Sequence, residues 1–194
     1  MLRSLVGSEM CIRDRGKLMQ YCPYIVVDQD TSLARGWALG YPKKIGSVWI
    51  TRSMGMPSIA SPKLEAGATF AGTVAVKDRR LAEGHVKLSA LADSSAVTFG
   101  SRPIVALRHF PSMFEGQHDR PAVYELVRLQ AENVQASPVW QGDAALTIYD
   151  APIEPLARLR PTRIGRGWRY SIAMTNRNNH LLRDLRDTSL SQEK

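Results

Sequence analysis

The chain has 194 residues, 44% of them hydrophobic and 23% charged, which is ordinary for a soluble globular protein with one sizeable core. No apolar run approaches the ~20 residues that span a bilayer, so we expect no membrane partner. The net charge of +8 comes from scattered basic residues without an aromatic and basic stripe, so we expect no nucleic-acid partner, although an anionic substrate would suit it.

The cysteines and histidines give no sign of a metal site. Cys11 and Cys22 form no CxxC pair and stand near no histidine cluster, and the four histidines are dispersed. We therefore predict no disulfide framework, no zinc site, and a reducing, cytoplasmic setting.

The first fifteen residues, MLRSLVGSEMCIRDR, show no continuity with the sequence that follows. The stretch from Leu5 to Asp14 resembles a translated sequencing adaptor, and it lacks the long apolar core and the cleavage site of a signal peptide. We expect residues 1–15 to be non-native and the native protein to extend further upstream. The native part of this sequence would then begin near Gly16, at a point already inside a domain.

From Gly16 onward the pattern favours β structure. Strands are predicted over 24–27 and 46–52, with a short helix between them that starts near Asp30 and stops before Pro42. Further strands are predicted over residues 68–77, 85–92, 104–110, 122–133, 144–149 and 169–174.

The segments between these strands are read as connections. We predict a hairpin loop over 79–84, a turn over 140–143, one helical turn over 153–157, and a polar helix or tail over 176–194. Many strands at short spacing with few helices predict one mainly β domain over residues 16–175. Its expected form is an antiparallel β-barrel or double sheet, which can hold one small ligand.

The lysine pair Lys43-Lys44 follows Tyr41-Pro42 and precedes an apolar stretch. Two adjacent lysines after a turn proline are commonly a solvated surface pair. A lysine that attacks a carbonyl instead needs its pKa lowered from ~10.4 to near 7, by desolvation or by a neighbouring cation. On a strand the two side chains point to opposite faces, so burial must supply most of the change. Periodicity alone does not say which lysine faces inward.

The sequence between about Gly16 and Thr175 resembles the acetoacetate decarboxylase family. No single one of the matching motifs is specific to the family, but their occurrence in the family's order is fairly strong evidence. The matching motifs are Tyr21-Cys22-Pro23-Tyr24 with Asp28, Gly40-Tyr41-Pro42-Lys43-Lys44-Ile45-Gly46, Tyr124-Glu125-Leu126, Trp140-Gln141-Gly142, and the segment from Leu146 to Leu156.

The resemblance implies a Schiff-base lyase without a cofactor. Lys43 would form the imine with a small keto acid, Lys44 would be the neighbouring cation, and a β-keto acid such as acetoacetate would lose carbon dioxide. It also implies a homo-oligomer in the intact protein. The family's substrate-gripping arginine and catalytic glutamates lie upstream of the lysine pair, so we expect part of the active site to be missing here.

The sequence departs from the family before the lysines, where Arg35-Gly36-Trp37 replaces Gly-Arg-Glu. This variant resembles a divergent branch, some of whose members act on pyruvate and aldehydes by aldol condensation and dehydration. Leu39, however, stands where members of that branch often carry glutamine, a departure that counts against this second chemistry. A pyruvate aldolase-dehydratase and a non-catalytic small-ligand barrel stay as alternatives.

Three further residues are candidates for substrate binding. Tyr41 would line the imine pocket or pack in the core. Arg52 ends the apolar strand after the lysines and could bind a carboxylate, or form a surface ion pair. Tyr24, at a strand start, would place a hydroxyl in the interior.

Overall fold

The computed structural model describes residues 5–14, 17–54, 59, 61–96, 102–177 and 179–187. Their strands are β1 (Leu5–Asp14), β2 (Lys17–Val27), β3 (Lys43–Ile45), β4 (Ser47–Ile50), β5 (Thr69–Val76), β6 (Arg79–Ala92), β7 (Ile104–Phe110), β8 (Val123–Leu129), β9 (Ala131–Ala136), β10 (Val139–Ile148), β11 (Arg166–Arg169), β12 (Ile172–Asn176) and β13 (His180–Asp184). Helix α1 covers Asp30–Leu39, and 3₁₀ turns cover Ser94–Ala96 and Pro155–Leu159. The predicted mainly β class is confirmed.

The strands form three sheets. The first has the order β1-β2-β7-β8-β13, with β3 also paired to β2; the second has the order β11-β10-β6-β5-β4; the third pairs β12 with β9. Pairing is antiparallel except that β2 runs parallel to both β3 and β7. Within the described ranges the sheets form a layered arrangement that does not close into a barrel.

The main core lies between the first two sheets. Tyr24 and Val26 of β2 pack against Val48, Val74 and Leu81 of the five-stranded sheet, and all five are at most 8% exposed. Alternation along β2 explains this packing, because residues 24 and 26 share the face that looks at the second sheet. The core therefore lies on one face of β2, and the opposite face is left for other elements.

Helix α1 is tied to the first sheet by an arginine of β7. Arg108 donates from Nε to the carbonyl of Ala38 at 2.8 Å, and it forms an ion pair with Glu125 on β8. Both partners of the ion pair are mostly buried, and the bond to Ala38 satisfies a carbonyl in the last turn of the helix. This contact fixes the end of α1 from which the lysine pair departs.

Several predicted connections are corrected. Residues 79–84 lie in β6, and the hairpin turns instead at Lys77 and Asp78, which both have positive φ, 50° and 59°. Both central residues of a tight hairpin turn of this kind need positive φ, and here the turn does without the glycine that usually marks it. Residues 140–143 are likewise part of β10 rather than a turn. Gly142 there lies at a bulge, where the register of β10 against β6 shifts, and a Cβ at this position would lie 1.8 Å from the Lys87 carbonyl oxygen.

Two predicted strands are divided between sheets, and part of the predicted polar helix or tail over 176–194 is a strand. Residues 122–133 split between β8 and β9, and residues 169–174 between β11 and β12, because in each case the chain changes sheet. Residues 180–184 form β13 rather than a helix, since β8 offers them an edge to pair with. The end of the predicted tail, 188–194, lies outside the described residues.

The N-terminal segment contributes β1, whose backbone pairs with β2 from Leu5 opposite Val27 to Asp14 opposite Lys17. Strand pairing does not test the origin of this segment, so its non-native character stays a prediction. In the described part of the chain, no helix has the length and the apolar character needed to cross a membrane.

Candidate active site

Helix α1 ends in a turn that leads directly into β3, where the lysine pair lies. Gly40 is left-handed, with φ 91°, and the N–H groups of Gly40 and Tyr41 donate to the carbonyls of Trp37 and Gly36, each at 2.9 Å. This Schellman arrangement satisfies carbonyls of the last helical turn, and glycine is the residue that adopts this φ without strain. The chain reverses here and enters β3 at Lys43, beside the helix it has just left.

The Lys43 side chain runs back along α1 to the first turn of the helix. Its Nζ donates to the carbonyl oxygen and to the Oγ of Ser32, each at 2.9 Å. Its stem passes over Gly36, where a Cβ would lie 2.1 Å from Lys43 Cδ. Trp37 holds the backbone, because its indole N–H donates to the Lys43 carbonyl at 2.7 Å. The Tyr41 ring centroid lies 5.7 Å from Nζ.

The surroundings of Lys43 disfavour its charged form. Burial is the largest effect and lowers the pKa of Lys43 below its ordinary value; Cys22 opposes this, and the positive charge of Arg35 adds to the lowering. The two described hydrogen-bond acceptors, both on Ser32, are neutral. A larger share of Lys43 than of an ordinary lysine is therefore the neutral, nucleophilic amine near neutral pH.

Lys44 points the other way, toward the core between the two main sheets. Its Nζ forms an ion pair with Glu154 Oε2 at 2.5 Å, and the same oxygen accepts a hydrogen bond from the Tyr24 hydroxyl at 2.9 Å. The Tyr24 ring also lies 5.2 Å from Lys44 Nζ. The Lys44 side chain is 37% exposed, whereas that of Glu154 is 4% exposed. The charge of Lys44 is matched by a buried carboxylate.

The contacts within this cluster explain the shifted pKa values of Glu154 and Tyr24. Burial alone would raise the pKa of Glu154, but hydrogen bonds from Lys44 and Tyr24 hold it below its usual range. Burial, and then the bond to Glu154, raise the pKa of the Tyr24 hydroxyl. The cluster is thus a fixed assembly of a cation, an anion and a neutral phenol.

The structure brings together some of the predicted site residues and separates others. Tyr41 lies beside Lys43 and also packs, half-buried, against the apolar cluster of β7 and β8. Tyr24 contacts Lys44 instead of Lys43. Arg52 is exposed, and its one described hydrogen bond uses its backbone carbonyl, which accepts from Ser61 Oγ at 3.2 Å.

Sequence reasoning missed four residues that shape the site. Ser32, Gly36 and Trp37 hold Lys43 from α1, and Glu154 holds Lys44. The spacing of a helix offered a signal for the first two, because positions 32 and 36 lie one turn apart on one face. No local signal linked Glu154 to Lys44, since 110 residues separate them.

The two described cavities lie away from Lys43. One of about 340 Å³ opens on the five-stranded sheet between Phe70, Val86 and Arg169. The other, of about 600 Å³, lies under the loop 150–158 and is bordered by Glu154. The described residues contain no group of three or more His, Cys, Asp or Glu side chains that could hold a metal ion.

The fold and the site define a mainly β protein that presents a lysine of lowered pKa. The model of the acetoacetate decarboxylase family matches residues 10–185, and the chain belongs to that family. No curated protein matches the chain.

Solved structures share the fold over most of this chain. The enduracididine biosynthesis enzyme MppR complexed with pyruvate has a TM-score of 0.81 at 27% identity, over 93% of this chain and 66% of MppR. An acetoacetate decarboxylase-like enzyme from Sphingomonas wittichii RW1 has a TM-score of 0.83 at 24% identity, over 93% of this chain and 69% of its own. Acetoacetate decarboxylase from Legionella pneumophila has a TM-score of 0.77 at 16% identity, over 93% and 67%. The chain thus spans about two thirds of the length of these relatives.

Proposed function

We propose that this protein is a lyase that forms a Schiff base between Lys43 and a keto acid, and that it decarboxylates a β-keto acid such as acetoacetate. The observation that carries the proposal is that two adjacent lysines have different surroundings. Lys43 is partly buried, has a lowered pKa and donates to neutral acceptors among the described residues, whereas Glu154 matches the charge of Lys44. Membership of the acetoacetate decarboxylase family supports the same chemistry.

The reaction would start with attack of neutral Lys43 Nζ on the ketone carbon. Loss of water gives a protonated imine, whose positive nitrogen draws electrons from the neighbouring carbon. The bond to the carboxylate then breaks, carbon dioxide leaves, and the electron pair remains as an enamine. Protonation of the enamine and hydrolysis release the ketone and return Lys43. A substrate carboxylate would be favoured by the positive charge of Arg35, which already acts on Lys43.

A second candidate is condensation of pyruvate with an aldehyde through the same imine. Two similar structures favour it: MppR has been solved with pyruvate and with the condensation product of pyruvate and imidazole 4-carboxaldehyde, and each is 27% identical to this chain. In this reaction the enamine formed from pyruvate would attack the aldehyde carbon instead of taking up a proton. Both candidates require an imine at Lys43, so imine formation is tested first.

The test is borohydride reduction in the presence of acetoacetate or pyruvate, followed by peptide mass spectrometry. We expect a reduced adduct on Lys43, and none in Lys43→Arg, which keeps the charge but has too high a pKa to act as a nucleophile. Lys44→Arg is the matched control and should still form the adduct. Binding of the keto acid without any adduct would overturn the lyase proposal in favour of a non-catalytic ligand-binding protein.

The products then distinguish the two reactions. Release of acetone and carbon dioxide from acetoacetate supports decarboxylation. A product joining pyruvate and an added aldehyde, without release of carbon dioxide from acetoacetate, supports condensation instead.

A further inference from the structure

We propose that Ser32 is a catalytic residue of this site, which orients the lone pair of the Lys43 amine and then holds the N–H of the imine. This inference rests on the proposed function, because it assigns a role within imine formation. Ser32 stands in the first turn of α1, eleven positions before the lysine in the sequence, and it contacts the atom that reacts.

The geometry of the contact sets the direction of the amine. An ammonium group has three N–H donors, and Ser32 accepts two of them, through its carbonyl oxygen and its Oγ, each at 2.9 Å. Deprotonation at the third N–H breaks neither bond. The lone pair then points away from α1, and the keto carbon must approach from that side. Gly36 keeps the lysine stem against the helix, so the amine cannot readily rotate away from Ser32.

The same two oxygens fit the later steps. When Nζ attacks, the N–C bond forms and the carbonyl π electrons move to the substrate oxygen. Ser32 Oγ takes one proton from nitrogen while its own proton passes to that oxygen. A second proton from solvent then lets the oxygen leave as water, and the C=N bond forms with one hydrogen left on nitrogen. The Ser32 carbonyl, which is fixed in the helix backbone, remains as the acceptor for that hydrogen.

The neighbouring hydroxyl provides a matched control. Thr31 is exposed, and its backbone N–H donates to Asp30 Oδ1 at 2.6 Å. The two residues share the first helical turn, but only Ser32 is described in contact with Lys43. Comparison of Ser32→Ala with Thr31→Ala therefore separates the loss of a contact with Nζ from the general effect of losing a hydroxyl in this turn.

The test measures Lys43 with two probes across pH. The first is borohydride trapping with pyruvate, and the second is competitive labelling with acetic anhydride, which reports amine reactivity without a keto acid. In Ser32→Ala the ammonium loses an acceptor, so the pKa of Lys43 falls further and both profiles move to lower pH. With the amine misoriented, the trapping plateau at high pH falls about fivefold to tenfold, the effect of about one hydrogen bond. Ser32→Thr restores the plateau to within about twofold, and Thr31→Ala matches the wild type.

An unchanged trapping plateau in a folded Ser32→Ala overturns the role of Ser32, and so does a lowered plateau that Ser32→Thr fails to restore. Thermal unfolding shows that the variants are folded. A wild-type chain that binds a keto acid but gives no adduct overturns the proposed function itself. In that case labelling with acetic anhydride still tests whether Ser32 orients the Lys43 amine. A lowered labelling plateau in Ser32→Ala supports this orientation, and an unchanged plateau refutes it.

Discussion

Replacement of Gly36 by alanine should separate helix stability from lysine chemistry. In a helix interior this change commonly stabilises by about 1 kcal/mol. Here the new Cβ would lie 2.1 Å from Cδ, 2.6 Å from Cε and 2.9 Å from Cγ of Lys43, whereas ordinary contact begins at 3.4 Å. All three atoms belong to one flexible side chain, so the lysine moves and the helix stays. Its Nζ then loses both bonds to Ser32, each worth about 1.5–3 kcal/mol for a charged donor.

Trapping of pyruvate by borohydride is the assay for this variant, with thermal unfolding measured in parallel. We expect the trapping rate of Gly36→Ala to fall by at least about tenfold, while the unfolding midpoint is no lower than that of the wild type. Gly165→Ala is the control, because an added Cβ at Gly165 meets no heavy atom within 4 Å. If Gly36→Ala traps pyruvate at the wild-type rate, the contact of the lysine stem with Gly36 does not position Lys43 and the reasoning is refuted.

Three further predictions concern stability. Lys43→Met should be more stable than the wild type at pH 7, by on the order of 1 kcal/mol, because folding lowers the pKa of Lys43 and so disfavours its charged form. The gain should shrink as the pH rises toward ~10.4, the pKa of an unfolded lysine, and a gain that is independent of pH in urea unfolding would contradict it. Glu154→Gln should cost about 1 kcal/mol at pH 7, because folding lowers the pKa of Glu154; that stabilisation is present above ~4.3 and is lost as the pH falls through the folded pKa. The difference from wild type should therefore shrink in acid, and an equal difference at pH 7 and pH ~3 would count against the ion pair. Trp37→Phe should cost about 1 kcal/mol through loss of the bond to the Lys43 carbonyl, and it should lower stability more than Trp49→Phe, a change at a similarly exposed tryptophan.

The strands that sequence could predict well are those with a regular alternation of apolar residues. The bounds predicted for β7 match the structure, and those for β5 differ by one residue at each end. The errors arose where glycine was read as a sign of a turn. Gly84 and Gly142 lie inside paired strands, where a Cβ would meet a neighbouring backbone oxygen at 3.0 Å or less. The true turn, at Lys77 and Asp78, depends on positive φ at two residues that carry side chains.

In the candidate site, too, contacts between residues close in sequence were easier to predict than contacts between distant ones. Alternation along a strand predicted that Lys43 and Lys44 face opposite ways, and the structure places them so. The helix side of Lys43 was within reach of sequence reasoning, because α1 and β3 are joined by a short turn. The partner of Lys44 was not, because Glu154 lies in a loop whose position depends on how the two main sheets pack.

The pairing of Lys44 with Glu154 bears directly on which lysine acts as the nucleophile. Two neighbouring lysines with free ammonium groups would compete for the same substrate, and their mutual repulsion would lower both pKa values. A carboxylate that is almost fully buried pairs with Lys44 and screens its charge, so Lys44 contributes little to the activation of Lys43. Burial therefore comes first among the causes that lower the pKa of Lys43, with Arg35 as the cation that adds to it. The strand alternation that separates the two side chains thus also gives them different surroundings: Lys43 reaches the neutral acceptors of Ser32, whereas Lys44 is held in an ion pair with Glu154.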